Sequence, residues 1–146
     1  MIHYLTGDLF ESKAVALVNT VNLLGVMGKG VALQFKNKYP QNFKLYKAAC
    51  QNGDIAIGKL FVTRENTVFG ERIIINFPTK TDWRKPSEYS YIEEGLDDLV
   101  SVMNEYQIGS IALPPLGAGN GGLNWGTVKN MIYRKLSSLN ADIYVY

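Results

Sequence analysis

Three segments of the sequence contain residues that could bind an anionic ligand and do chemistry on it. Residues 18–40 hold two asparagines followed by Gly28-Lys29-Gly30, and "LPPLGAGNGGLNWG" near the carboxyl end is rich in glycine. Between them, "NFPTKTDWRKP" places Lys80 just after an apolar run. Glycines let backbone N–H groups approach a phosphate, and a partly desolvated lysine amine can attack a carbonyl-like carbon. The glycines indicate a phosphate site, whereas a loop lysine such as Lys80 is usually only solvated, and a nucleophilic role for it is the alternative that its position after a strand and beside Trp83 favours.

The glycines do not form either of two familiar nucleotide-binding motifs. A P-loop requires G-x-x-x-x-G-K-[ST]. Counted back from Gly28, the first glycine position holds Leu23, and Gly30 stands where the hydroxyl residue belongs. Residues 117–122 match the dinucleotide fingerprint G-x-G-x-x-G, but that fingerprint belongs in the first βαβ unit and here it falls late in the chain. A dinucleotide-dependent dehydrogenase is therefore not expected, and a glycine turn that serves only the topology stays open.

One carboxylate, Asp8, follows the first apolar run. It lies within Gly7-Asp8-Leu9. An aspartate at a strand exit commonly forms a turn or a cap. The functional alternative is a carboxylate that accepts a hydrogen bond from the exocyclic amine of a base, and the residues by themselves leave both interpretations open.

Length and composition predict one domain over residues 1–146, either complete or cut from a longer protein. Of the 146 residues, 47% are hydrophobic and 19% are charged, which is enough apolar material for a buried core. The net charge of +2 permits contact with an anionic ligand without indicating a dedicated duplex binder. One cysteine and one histidine argue against a disulfide framework and a metal site. With no apolar run that suits a membrane span, we expect a cytoplasmic monomer.

The apolar pattern alternates between strands and helices. Short runs rich in β-branched residues predict strands at 2–5, 14–18, 59–63, 72–77, 110–113 and 142–146, with helices at 31–38, 41–51, 86–106 and 127–139. In the third helix, Ser90 and Glu93 resemble a capping box, with Ser87 as the alternative cap. The alternation predicts an α/β fold with a mixed, largely buried sheet. Ligands of open α/β sheets bind beyond the carboxyl ends of the strands, where the three segments lie.

Three motifs in this order resemble the macrodomain, a three-layer α/β/α sandwich with a mixed central sheet that binds ADP-ribose. They are "GDLF" after the first strand, "ALVNTVNLLGVMGKGVALQFK" after the second, and "LPPLGAGNGGLNW" near the end. The form "NTVNLLGVMGKGVALQFKNKYP", with the lysine in "FPTKTDWR", is similar to one branch in particular. That branch contains the DNA ADP-ribosyl glycohydrolase antitoxins (DarG-type) and the terminal ADP-ribose protein glycohydrolase.

The resemblance implies a role for individual residues. Asp8 would bind the adenine amino group, Asn22 would contact the distal ribose, and Lys80 would be the catalytic lysine near the anomeric carbon of that ribose. The residues implied to bind the ligand are Asp8, Leu9, Asn19, Asn22, Gly28, Lys29, Gly30, Trp83, Pro115, Leu116, Gly117, Ala118, Gly119 and Asn120. No cofactor is implied, since ADP-ribose is itself the ligand or product.

One departure from the pattern narrows the implied activity. The protein-directed relative has an acidic residue in the second phosphate loop, where this chain has only glycine and asparagine over residues 119–122. The resemblance therefore implies a lysine-centred hydrolase that removes ADP-ribose from thymidine-modified single-stranded DNA, with a cognate ADP-ribosyltransferase toxin as partner. The alternatives are a non-catalytic ADP-ribose reader, a hydrolase of ADP-ribosylated protein carboxylates and, less favoured, a bare single-strand-binding module.

Overall fold

The structure is a computed structural model that describes residues 1–68 and 70–146. The described residues form six strands and four helices. The strands are β1 (Ile2–Tyr4), β2 (Ala16–Val21), β3 (Phe61–Thr67), β4 (Gly70–Pro78), β5 (Ser110–Leu113) and β6 (Asp142–Val145). The helices are α1 (Gly30–Lys38), α2 (Pro40–Gln51), α3 (Tyr89–Glu105) and α4 (Trp125–Leu136).

The strands form one mixed sheet in the order β1-β6-β5-β2-β4-β3. Every neighbouring pair is parallel except β3 and β4, which pair antiparallel. The central strands are almost entirely buried, and in β2 five of the six residues, all but Thr20, are buried. The α/β fold and the mixed, buried sheet predicted from the sequence are confirmed.

Apolar side chains on alternate positions of the strands bury the two faces of the sheet against different helices. Val18 and Ile75 belong to a large cluster with α3 and α4, whereas Leu17 and Ile74 pack with Phe35 of α1. Successive strand residues point to opposite faces, so this alternation requires a helical layer on each side. The result is the three-layer sandwich that the resemblance implied.

Helix α3 approaches the sheet closely because it has a glycine at the contact. A Cβ built on Gly95 would lie 2.2 Å from the Phe77 ring, nearer than real side chains come. Phe77 precedes Pro78, the last residue of β4, so this close contact lies just before the segment that carries Lys80.

Most element boundaries differ by one to four residues from the sequence-based expectations, as β3 shows with Phe61–Thr67 against the predicted 59–63. Strand β2 begins later and runs to Val21 rather than ending at Val18, because Asn19 and Thr20 continue the pairing with β4. The predicted capping box of α3 is wrong: Glu88 occupies the cap position and no side chain caps the helix. No helix in the described part of the chain is long and apolar enough to cross a membrane.

Candidate functional site

A cavity of about 530 Å³ opens where β2, β4 and β5 end. Its volume is within the range of small-molecule sites. The chain segments that leave these three strands supply most of its wall, and α1 supplies the rest. The described residues that line it are Thr20, Val21, Asn22, Val26, Gly28, Lys29, Val31, Ala32, Thr79, Lys80, Trp83, Pro114, Pro115, Gly117, Gly119, Asn120 and Gly121.

Asn22 organises the first loop, residues 22–29, which follows β2. Its Nδ2 donates to the carbonyl oxygen of Val26 at 2.8 Å, and its Oδ1 accepts from the backbone N–H of Leu24 at 2.9 Å. The buried hydroxyl of Tyr46, on α2, lies 2.7 Å from the carbonyl oxygen of Asn22 and 3.0 Å from its Oδ1. The loop therefore has its shape before any ligand binds, and helix α2 helps to hold it.

A buried polar network lies beneath this loop. The side-chain amides of Asn42 and Asn76 donate to each other's oxygens at 3.1 and 2.8 Å, and Thr63 donates to Asn42 at 2.6 Å. Asn19 joins through its Nδ2, which lies 3.4 Å from Asn76 Oδ1 and 3.8 Å from the sulfur of Met27 in the loop. Asn19 is thus fully buried and supports the loop from below, and it does not line the cavity.

The second loop, residues 114–122, is compact because two backbone segments meet at Gly121. A Cβ at this position would lie 2.3 Å from the carbonyl oxygen of Gly117 and 2.4 Å from Ser87 Oγ. The N–H of Ser87 donates to the carbonyl oxygen of Gly121 at 3.0 Å. Gly117 itself has a φ of +68°, a conformation that favours glycine. The shape of the loop therefore requires glycine at Gly117 and Gly121, whereas a Cβ at Gly119 would meet nothing within 4 Å.

Lys80 joins the second loop across the cavity. Its Nζ donates to the carbonyl oxygen of Asn120 at 3.0 Å. Burial lowers the pKa of this amine, and the positive charge of Lys29 lowers it further. Partial desolvation and a neighbouring cation both favour the neutral amine, which is the nucleophilic form of a lysine.

Trp83 stands on the wall of the cavity near Lys80, in a turn built by Asp82 and Arg84. The Asp82 carboxylate accepts from the Arg84 backbone N–H at 2.9 Å and from its guanidinium at 2.9 and 2.7 Å. Hydrogen bonds from Arg84 hold the pKa of Asp82 down at about 2. The guanidinium carbon lies 5.3 Å from the centre of the Trp83 ring.

Several residues implied as ligand contacts lie outside the cavity wall. The Asp8 carboxylate accepts from the N–H of Phe10 at 2.9 Å and caps a short 3₁₀ turn, whereas Leu9 is buried in the core. Leu116 is also fully buried. Gly30 and Ala118 belong to the two loops without lining the cavity. Their roles toward a ligand stay predictions.

Sequence reasoning missed several contributors to the site. Tyr46 lies at a helical spacing that indicates core packing, and nothing in its position along the chain relates it to Asn22, 24 residues away. Thr79 and the apolar wall of α1, which includes Val31 and Ala32, were also missed, because only the folded chain brings them to the cavity. Within the described residues, no cluster of histidine, cysteine or acidic side chains could hold a metal ion.

Two glycine-bearing loops and a lysine lie beyond the carboxyl ends of a mixed sheet with helices on both faces, an arrangement typical of α/β domains whose ligands bind at the strand ends. The family model described as "Macro domain" matches residues 18–132. The chain belongs to the macrodomain family.

Curated relatives support a finer placement. The chain is 50% identical over 147 residues to a DNA ADP-ribosyl glycohydrolase of Mycobacterium tuberculosis, covering 99% of this chain and 42% of the relative. It is 51% identical to a DNA ADP-ribosyl glycohydrolase of Thermus aquaticus, and the match covers 100% of this chain and 41% of that relative. The chain is also 32% identical to a DNA ADP-ribosyl transferase-DNA ADP-ribosyl glycohydrolase fusion protein of Thermosipho africanus. That match covers 96% of this chain and 40% of the fusion protein. The chain thus spans about two fifths of the length of these relatives.

Solved structures agree with the curated relatives. The macrodomain of Mycobacterium tuberculosis DarG superposes with a TM-score of 0.97 at 50% identity, covering 100% of this chain and 97% of that one. Thermosipho africanus DarTG in complex with ADP-ribose superposes with a TM-score of 0.92 at 32% identity, covering 99% of this chain and 41% of that one. The predicted similarity to the DarG-type branch of the macrodomains is confirmed.

Proposed function

We propose that this chain binds ADP-ribose and hydrolytically removes it from thymidine bases of single-stranded DNA. The observation that supports the proposal most is the amine of Lys80, which projects into the cavity, donates to the Asn120 carbonyl and has a lowered pKa. The names of relatives about half identical over nearly the whole chain give the substrate class.

The cavity suits a nucleoside diphosphate sugar. Its two glycine loops face each other, so backbone N–H groups can surround a diphosphate from both sides. Lys29 adds a positive charge at the wall, next to the start of α1, whose dipole also favours an anion. Asn22, already fixed by the hydroxyl of Tyr46, would orient the distal ribose.

The lining favours lysine chemistry over the usual glycosidase mechanism. Glycosidases place two carboxyl groups on either side of the bond that breaks. None of the described residues that line this cavity is acidic. The nearest acid along the chain, Asp82, is ionised and already accepts from Arg84, so it has no proton to donate at neutral pH.

Lys80 would act by forming a covalent bond to the sugar. Its nitrogen bonds to the anomeric carbon as the bond from that carbon to thymine breaks, and one amine proton passes to the thymine. The second proton moves to the ring oxygen as the ribose opens, which leaves an imine between Lys80 and the sugar. Water then adds to the imine carbon, the carbon–nitrogen bond breaks, and ADP-ribose leaves with the amine regenerated.

One set of assays tests this function. The unsubstituted chain should release ADP-ribose from a single-stranded oligonucleotide modified at thymidine, and Lys80→Ala and Lys80→Arg should lose release while both still bind ADP-ribose by calorimetry. Borohydride reduction during turnover should leave ADP-ribose attached at residue 80. Binding without release by the unsubstituted chain would establish a reader instead. Faster release from protein carboxylates than from the oligonucleotide would overturn the DNA assignment.

The substrate requires an enzyme that makes it. A DNA-modifying ADP-ribosyltransferase toxin is the partner reaction we propose, since one relative is a fusion of such a transferase with a glycohydrolase. We place both reactions in the cytoplasm, where bacterial DNA is exposed as single strands. Co-expression tests this: the unsubstituted chain should relieve the growth arrest caused by such a transferase, and Lys80→Ala should not.

A further inference from the structure

We infer that Trp83, backed by Arg84, is the platform on which the nucleobase carrying the ADP-ribose stacks. This inference rests on the proposed function and deepens it, because it names the part of the site that would distinguish a base-linked substrate from a protein-linked one. The relevant surface is the turn of residues 82–85, referred to here as the rim turn.

The position of Trp83 relative to Lys80 supports the inference. The bond that breaks must lie at the Lys80 amine, so the leaving group lies within a few ångströms of that amine, on the far side from the ADP-ribose. Trp83 follows Lys80 by three residues and is the only aromatic side chain among the described residues that line the cavity. It is 47% exposed, so ring surface remains open on the wall of the cavity that Lys80 also lines.

The rim turn holds this ring in place before a ligand arrives. The paired hydrogen bonds between Asp82 and the Arg84 guanidinium fix the arginine, and its carbon lies 5.3 Å from the Trp83 ring centre. An aromatic ring supported on one side by a fixed cation loses little conformational freedom when a base covers its open surface.

The charge around the ring suits a nucleic acid. Lys29 and Lys80 line the cavity, and Arg84 and Lys85 lie in the rim turn, against a single acid, Asp82, that Arg84 already engages. Cationic side chains beside an exposed aromatic ring are the usual means of binding single strands, because bases stack and phosphates are neutralised. A glutamate ester on a protein has no flat π-face to cover the ring.

Affinity for an uncleaved substrate measures this stacking directly. In a Lys80→Ala background, Trp83→Ala should weaken binding of the thymidine-modified oligonucleotide about 10- to 100-fold, the size of one base–aromatic stack, and Trp83→Phe should restore most of it. In both Trp83 variants, the affinity for free ADP-ribose should stay within about twofold of that of the Lys80→Ala background. Trp125→Phe leaves Trp83 as the one tryptophan, and its fluorescence should be quenched by the modified oligonucleotide.

A second arginine–aromatic pair provides the matched control. The Arg64 carbon lies 5.7 Å from the Tyr106 ring centre, and neither residue lines the cavity. Tyr106→Ala should leave the affinity for the oligonucleotide unchanged.

Two results would overturn the platform. One is unchanged oligonucleotide affinity in Trp83→Ala, and the other is an equal loss of affinity for free ADP-ribose, which would make Trp83 a contact of the ADP-ribose itself.

Release by the unsubstituted chain is measured separately. If release fails while Trp83→Ala still weakens oligonucleotide binding, the hydrolase is wrong and the platform stands. If release occurs and Trp83→Ala has no effect, the platform alone is wrong.

Discussion

The amine of Lys80 donates a hydrogen bond of 3.0 Å to the backbone carbonyl oxygen of Asn120, 40 residues further along the chain. The side chain of Asn120 in turn approaches the first helix: a Cβ on Gly30 would lie 3.0 Å from its Nδ2. The three segments that the sequence singled out therefore meet at Asn120. This arrangement places the proposed nucleophile between the two loops that would hold the diphosphate.

The pH dependence of turnover should report the environment of Lys80. Burial and the charge of Lys29 both lower the pKa of Lys80. The neutral amine is the reactive form, so kcat should rise with pH through a pKa below that of an ordinary lysine. Lys29→Gln removes the second cause and should move this rise to higher pH, whereas Lys29→Arg keeps the charge and should leave it in place. An identical pH profile for Lys29→Gln would contradict the coupling.

Gly121→Ala should collapse the second loop. Its Cβ would lie 2.3 Å from the carbonyl oxygen of Gly117, which is backbone and has little room to move. We expect ADP-ribose binding to fall more than tenfold, measured by calorimetry, together with a loss of stability of about 1–3 kcal/mol in urea unfolding. Gly109→Ala is the control, because a Cβ there meets nothing within 4 Å. Equal behaviour of the two variants would mean that the loop adapts.

Tyr46→Phe tests how the first loop is held. The variant leaves the carbonyl oxygen of Asn22 without its hydrogen bond, which costs about 1 kcal/mol of stability in urea unfolding. Because Asn22 shapes the loop, the Kd for ADP-ribose should rise several-fold while kcat at saturation changes little. Tyr133→Phe, with a side chain 60% exposed on α4, should change neither quantity. A stability loss with unchanged Kd would show that Tyr46 serves packing alone.

Gly95→Ala should destabilise the fold although alanine favours helices. In an open helix the change would stabilise by about 1 kcal/mol. Here the added Cβ meets the Phe77 ring at 2.2 Å, and overpacking of this kind costs about 1–3 kcal/mol or more. Phe77→Leu should make Gly95→Ala less harmful, so that a double-mutant cycle in urea unfolding gives a favourable coupling energy. Additive effects of the two changes would contradict this account of the helix contact.

The core and the site were predictable to different extents. The strands and helices follow from local apolar patterns, and the structure has all of them with boundaries shifted by a few residues. The cap of α3 was mispredicted, because a Ser-x-x-Glu pattern indicates where a helix could begin and not how the preceding chain approaches it. Ser87 instead donates its N–H to Gly121 and supports the second loop.

Asn19 shows that the sequence does not determine whether a strand residue faces the cavity or the core. The resemblance implied that both Asn19 and Asn22 contact the ligand, and nothing in the sequence separates the two. Asn19 lies inside β2 and is buried in a network with Asn76, whereas Asn22 follows the end of the strand and lies on the cavity wall. The face of a strand residue follows from its register in the sheet, which tertiary pairing decides.

The sequence by itself determined the chemistry that is available: glycines that permit tight loops, a lysine after an apolar strand, and no acidic residue in the second loop. Only the tertiary structure decided which of these groups meet. Distant segments partly desolvate Lys80 and bring Lys29 and Asn120 close to it, and its lowered pKa is a property of that surrounding. The residue types are local information, whereas desolvation and charge proximity depend on packing between segments far apart in the chain.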